Sequence, residues 1–180
     1  GFARSGTACS AKLRDSVEKP KFHCPSQWDK YDRVLIDFCG SEPEVNNFLT
    51  PSAHSEGCYT IVCSKQVADM SDETTVMSLC STIKSIPKGL PILLWSGVPS
   101  SGGISAKREA KSKREQYQRR LWNNIKPMLV RVIASVLEHG GYIAIEWPIK
   151  SNNWKDPVVQ SILDQPLGWQ ETANVHGCAF

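Results

Sequence analysis

The sequence predicts an α/β fold, a three-layer sandwich with helices on both sides of a mostly parallel sheet. Three observations carry that expectation. Short apolar runs at 33–39, 58–63, 90–95 and 142–146 have the length and β-former content of buried strands. Stretches with apolar residues three or four apart separate them, as amphipathic helices require. Strand and helix alternate, so neighbouring strands are joined by crossovers and run parallel. At 180 residues the chain has the length of one domain. An irregular N-terminal extension is expected over 1–30 and the α/β domain over 31–180.

The elements follow in order. Ala11–Glu18 can form a short outer helix before the first strong signal, Arg33–Cys39, which ends at Gly40. Ser41 with Glu44 three residues on is a capping box, and Pro43 is tolerated in a first turn. A short helix through Val45, Phe48 and Leu49 is predicted, stopping before Pro51. Gly57 precedes the Cys58–Cys63 strand. Ser71-Asp72-Glu73 then places a cap and acids ahead of Val76, Leu79, Cys80 and Ile83 at helical spacing. Pro87-Lys88-Gly89 closes that helix before the strand Leu90–Trp95. A long helix is expected from about Ser105, with Tyr117, Leu121, Ile125, Met128, Val132 and Val136 on its buried face. Pro127 falls inside it and should kink or split it. Gly140 suits the residue after a helix C-terminus. The strand Tyr142–Glu146 comes next, then a helix capped by Asp156-Pro157, then an extended segment over Gly168–Val175.

Composition narrows the class. It is that of an ordinary globular protein. No apolar run reaches the roughly 20 residues of a membrane span, and the N-terminus lacks the apolar core of a signal peptide. An intracellular protein with no membrane partner is expected, both of whose ends look cut from a longer polypeptide. Seven Cys, an odd number, with Cys39 and Cys63 at buried-looking strand ends, read as reduced thiols. His23, Cys24, His54, Cys58 and Cys63 lack a Cys-x-x-Cys pair, so no metal is expected. The oligomeric state is left open.

The net charge of +3 is mild, but it is unevenly spread. Lys107, Arg108, Lys111, Lys113, Arg114, Arg119 and Arg120 face only Glu109 and Glu115 between positions 107 and 120. Such a stripe follows phosphates or forms a solvated helix face. The candidate nucleic-acid contacts are Lys107, Arg108, Lys111, Lys113 and Arg114.

Ligands of parallel sheets sit beyond the carboxyl ends of the strands. Four segments fall there: Asp37-Phe38-Cys39-Gly40, Pro99-Ser100-Ser101-Gly102-Gly103, Glu146-Trp147-Pro148 and His176-Gly177-Cys178-Ala179-Phe180. In this order they resemble the S-adenosylmethionine-dependent cytosine-5 DNA methyltransferases. The resemblance is closer to methyltransferase-like segments in polyproteins of retroelements and viruses of protists. There a leucine-tryptophan strand enters a Pro-Cys-Thr-Gly-Gly loop, a basic helix and an Ile-Glu-Trp-Pro strand. It covers residues from about 33 to the end. It implies a Rossmann-like class I fold, S-adenosylmethionine as cofactor at Asp37, Phe38 and Gly40, and nucleic acid as partner, DNA ahead of RNA. It makes Glu146 the catalytic carboxylate and puts Ser100 where the family has its Cys nucleophile. A Ser hydroxyl without an adjacent base is a weak nucleophile. Only one Gly of the cofactor loop is kept, and Cys63-Ser64-Lys65-Gln66 stands where an acid would hold the ribose. The sequence therefore reads as a methyltransferase-like domain acting on or binding nucleic acid, with catalysis retained or lost. The alternatives are a non-catalytic nucleic-acid-binding module and another α/β ligand-binding or enzymatic domain. Trp147, His176 and Cys178 are expected to be structural.

Overall fold

The computed structural model describes residues 22, 24–39, 52–54, 56–63, 69–98 and 108–164, with only the backbone at 108–112, 114, 115 and 118. The expected helices over 11–18 and 45–49, the loop 99–103 and the segment 168–180 lie outside the described residues. The remaining order is β1 (Arg33–Phe38), β2 (Cys58–Cys63), α1 (Glu73–Ser85), β3 (Ile92–Ser96), α2 (Arg108–His139), β4 (Tyr142–Ile145), a 3-10 turn (Asn152–Lys155) and α3 (Pro157–Leu163). The fold is α/β and Rossmann-like, with four strands in the order β2-β1-β3-β4. Every neighbouring pair is parallel: Phe38 lies opposite Cys63 and Ser96, and Ser96 opposite Ile145.

The strands alternate as their sequence requires. Val34, Ile36 and Phe38 of β1 join Ile92 and Leu94 of β3 in the main core, closed by Val76, Leu79 and Ile83 of α1 and by Leu129, Val132 and Val136 of α2. Leu35 points to the opposite face, where it packs with Ala53 and Cys58. The Asp72 carboxylate accepts the Thr75 N–H at the start of α1, and Asp156 accepts the Val158 N–H at the start of α3. The Asp156 cap is as predicted, and within the expected Ser71-Asp72-Glu73 start the capping residue is Asp72.

α2 is continuous through Pro127 and is not split there. Proline removes the donor to the carbonyl four residues back. That residue, Asn123, and Pro127 itself are both exposed, a position where solvent can compensate a lost helix bond. The buried face of α2 also differs from the predicted stripe. Ile125, Val132 and Val136 are buried as expected, but Trp122, Leu129 and Ile133 join them and Tyr117 is exposed. Among the described residues no helix is long and apolar enough to cross a membrane.

The α2–β4 connection is tight. Gly140 adopts φ +88°, the left-handed conformation that ends many helices. At Gly141 a Cβ would come 2.9 Å from the Ile92 carbonyl oxygen and 2.8 Å from Val136 Cγ1. The backbone oxygen cannot swing aside, so Gly141→Ala must displace β3 or β4. It should cost about 1–3 kcal/mol, read as a lower urea midpoint with an unchanged slope. A midpoint equal to that of the parent would show that the junction yields freely.

Candidate site at the carboxyl edge of the sheet

The chain leaves β1 toward β2 on one side and leaves β3 toward β4 on the other. The β1/β3 pair is therefore the topological switch point, where open parallel sheets form their crevice. Backbone bonds fix the edge there. Cys39 N–H donates to the Cys63 carbonyl at 3.0 Å, Gly97 N–H to Phe38 at 3.1 Å, and Glu146 N–H to Ser96 at 3.0 Å.

The structure places some of the predicted residues and not others. Asp37, the next-to-last residue of β1, is 1% exposed and in register with Val62 and Trp95. Phe38 is at 0%, turned into the core beneath α1 and α2. Neither side chain offers an accessible surface to a cofactor. Glu146 is exposed just past β4, with its backbone tied to β3. Of the basic residues, Lys113 is exposed, while Arg108, Lys111 and Arg114 are placed on α2 by backbone alone. Gly40, Ser100 and Lys107 lie outside the described residues.

The thiols at this edge are neutral. Cys39 takes φ +59°, a left-handed conformation costing a non-glycine residue about 1–3 kcal/mol. Its enclosure, then the charges of Asp37 and Asp69, push its thiol up to about 12. Burial, with Cys39 and Asp37, likewise raises Cys63 well above the ordinary thiol range. A protonated thiol is neither a good nucleophile nor a metal ligand. The described residues hold no His, Cys, Asp and Glu group able to bind a metal. The described cysteines, Cys24, Cys39, Cys58, Cys63 and Cys80, are all free.

An aromatic joint that the sequence did not reveal locks the edge together. Trp147 follows Glu146 and is 7% exposed. Its indole N–H donates to the Val98 carbonyl at 2.7 Å. Trp122 of α2 and Trp154 pack edge-on against it, with ring centroids 5.3 and 4.8 Å away. Asp156 accepts from Trp122 Nε1 at 2.9 Å and from Lys126 Nζ at 3.0 Å. Partial burial opposes ionisation of Asp156, but these donors outweigh it and hold the carboxyl below its ordinary range. The Ser96 hydroxyl and the Asn153 amide nitrogen are buried at the same end without a hydrogen-bond partner among the described residues. The only sequence signal for the joint was the density of Trp at 122, 147 and 154.

Trp122 also fixes how far α2 reaches. It meets Trp147, two residues beyond β4, so the part of α2 before Trp122 lies past the ends of the strands. With 32 residues α2 is about 48 Å long, whereas the five residues of β3 span about 17 Å. The excess, 108–121, is an arm carrying the basic stripe. Cations packed against the body are paired: Lys126 with Asp156, and Arg131 with Glu73. Lys113, Arg119 and Arg120 are exposed and form no ion pair with any described residue.

Comparison with protein-family models, curated proteins and solved structures returned no match for this chain.

The joint can be tested from both of its ends. Trp147→Phe keeps the aromatic packing but strands the Val98 carbonyl, so it should cost about 1–3 kcal/mol in chemical denaturation; no loss would show that the bond is dispensable. Because Asp156 is held below its unfolded value, its contribution is present above about pH 4 and is lost as pH falls through the folded value. Asp156→Asn should lower stability at neutral pH and flatten the acid limb. An unchanged acid limb would show that Asp156 adds nothing there, although Asp72, held at about 2 by its threonine partners, acts in the same window.

Proposed function

We propose that this chain is a methyltransferase-like α/β domain that binds nucleic acid at the carboxyl edge of its sheet. The observation that carries the reading is the segregation of charge along α2. Where the helix touches the body its cations are neutralised by carboxylates. Where it passes the strand ends the described cations have no such partner. An anion that meets several of them at once is a phosphate backbone, whose binding releases counterions. The arm leads to the switch point and to exposed Glu146, where a sheet of this topology holds its ligand.

The resemblance to cytosine-5 methyltransferases supports the same placement. It makes Glu146 the carboxylate beside a bound nucleotide and Ser100 the residue in the loop after β3. A covalent step is not assigned, because Ser100 stands for the Cys that such a step needs. The neutral thiols of Cys39 and Cys63 do not replace it. S-adenosylmethionine enters this reading only as the cofactor the resemblance implies, and weak or absent binding is expected in calorimetry. Micromolar affinity would restore an enzymatic role.

The binding itself is tested with Lys111, Lys113 and Arg114 replaced together by Gln. Binding of labelled DNA and RNA should weaken, and the salt slope should fall by about one for each phosphate that is no longer neutralised. The fold should persist, since the buried face of α2 starts at Trp122. A triple variant that binds as the parent does at every salt concentration would reduce the stripe to a solvated helix face.

A further inference from the structure

The arm carries an aromatic side chain that the packing of the domain does not use. Tyr117 is 59% exposed and makes no ring contact with any described residue, whereas Trp122, Trp147 and Trp154 pack together. It stands four residues after Lys113 and three before Arg120. Positions i, i+4 and i+7 of a helix share one narrow face. Both cations are exposed, and neither is paired with a described acid. One face of the arm thus presents cation, ring, cation along about 10 Å of helix axis.

We propose that Tyr117 is a stacking platform for an unpaired base, with Lys113 and Arg120 holding the flanking phosphates, so that the arm selects single-stranded nucleic acid over duplex. This rests on the reading that the arm binds nucleic acid, and adds the form of its ligand. Duplex and single strand show the ring different surfaces. Bases in a duplex are stacked on one another, and a side chain on the outside of a helix meets only backbone and groove edges. An unpaired base offers its π-face, and every base has one, so recognition is tolerant of sequence. Cations on both sides of the ring follow the charge of a strand passing over it. An exposed ring between two cations is poorly suited to a second copy of this chain, because both faces would bring the same positive charges together.

The test uses the full chain with a fluorescein-labelled mixed-sequence single strand, the same strand in a duplex, and the variants Tyr117→Phe and Tyr117→Leu. Both replace an exposed side chain with an apolar one, and circular dichroism checks the fold. The parent should bind the single strand more tightly than the duplex. Tyr117→Leu should lose roughly ten-fold or more on the single strand with its salt slope unchanged, while Tyr117→Phe and duplex binding remain at parent levels. Lys113→Gln with Arg120→Gln should instead reduce the salt slope. If Tyr117→Leu matches the parent on the single strand, or loses single strand and duplex equally, the stacking platform is overturned while nucleic-acid binding stands. If the parent binds neither probe, both readings fall. A change in sedimentation on Tyr117→Leu, with binding unchanged, would assign the ring to self-association instead.

Discussion

The buried indole of Trp147 is the contact on which the carboxyl edge of the sheet depends. Its ring fills the space between Trp122 of α2 and Trp154 of the following turn, and its N–H satisfies the Val98 carbonyl beyond β3. One side chain therefore ties the ends of β3 and β4 to the long helix. The contact is robust because it combines apolar area with a satisfied polar group. A tryptophan buried without a partner for its N–H would forfeit part of what its ring contributes. Asp156 extends the joint outward by accepting from Trp122 and Lys126 while capping α3.

A simple mismatch of lengths gives the molecule its exposed basic arm. A strand of five residues and a helix of 32 cannot end together. The last turn of α2 is fixed by the tight junction into the start of β4, so the surplus extends past the carboxyl edge. That edge also holds the topological switch point, so the arm and the switch point share one end of the sheet. The division of charge follows. Lys126 and Arg131 over the body pair with Asp156 and Glu73, whereas Lys113, Arg119 and Arg120 on the arm are exposed and form no ion pair with any described residue.

The chemistry of the edge is restrained. Burial near carboxylates favours the protonated thiols of Cys39 and Cys63, and Asp37 and Phe38 are enclosed by their neighbours. Among the described residues at this edge, the exposed groups include the carboxylates Asp69 and Glu146, and the arm adds Lys113, Tyr117, Arg119 and Arg120. The left-handed backbone at Cys39 and the Ser96 hydroxyl, without a partner among the described residues, show that the edge carries some strain and desolvation cost.

Much of the fold was legible in the residues alone. Apolar runs such as Val34-Leu35-Ile36 encode a doubly covered strand, because parallel sheets leave neither face to water. Asp72, Asp156 and Gly140 encode helix boundaries, because capping is a local matter of side-chain oxygen or backbone freedom. The concentration of basic residues over 107–120 is a fact of the sequence itself, whereas Glu146 was singled out by the resemblance. The tertiary structure alone decided what depends on neighbours distant in sequence. Helical spacing assigned Tyr117 to the buried stripe, but the stripe is buried only where the sheet lies beneath it, and the sheet has ended by Trp122. Pro127 does not break its helix: it and Asn123, whose carbonyl loses its donor, both lie on the exposed side. The apposition of Trp122, Trp147 and Trp154 joins residues up to 32 positions apart, and no local pattern encodes that approach. Sequence determined the elements and their caps through local physics; packing determined which side chains were left for a ligand.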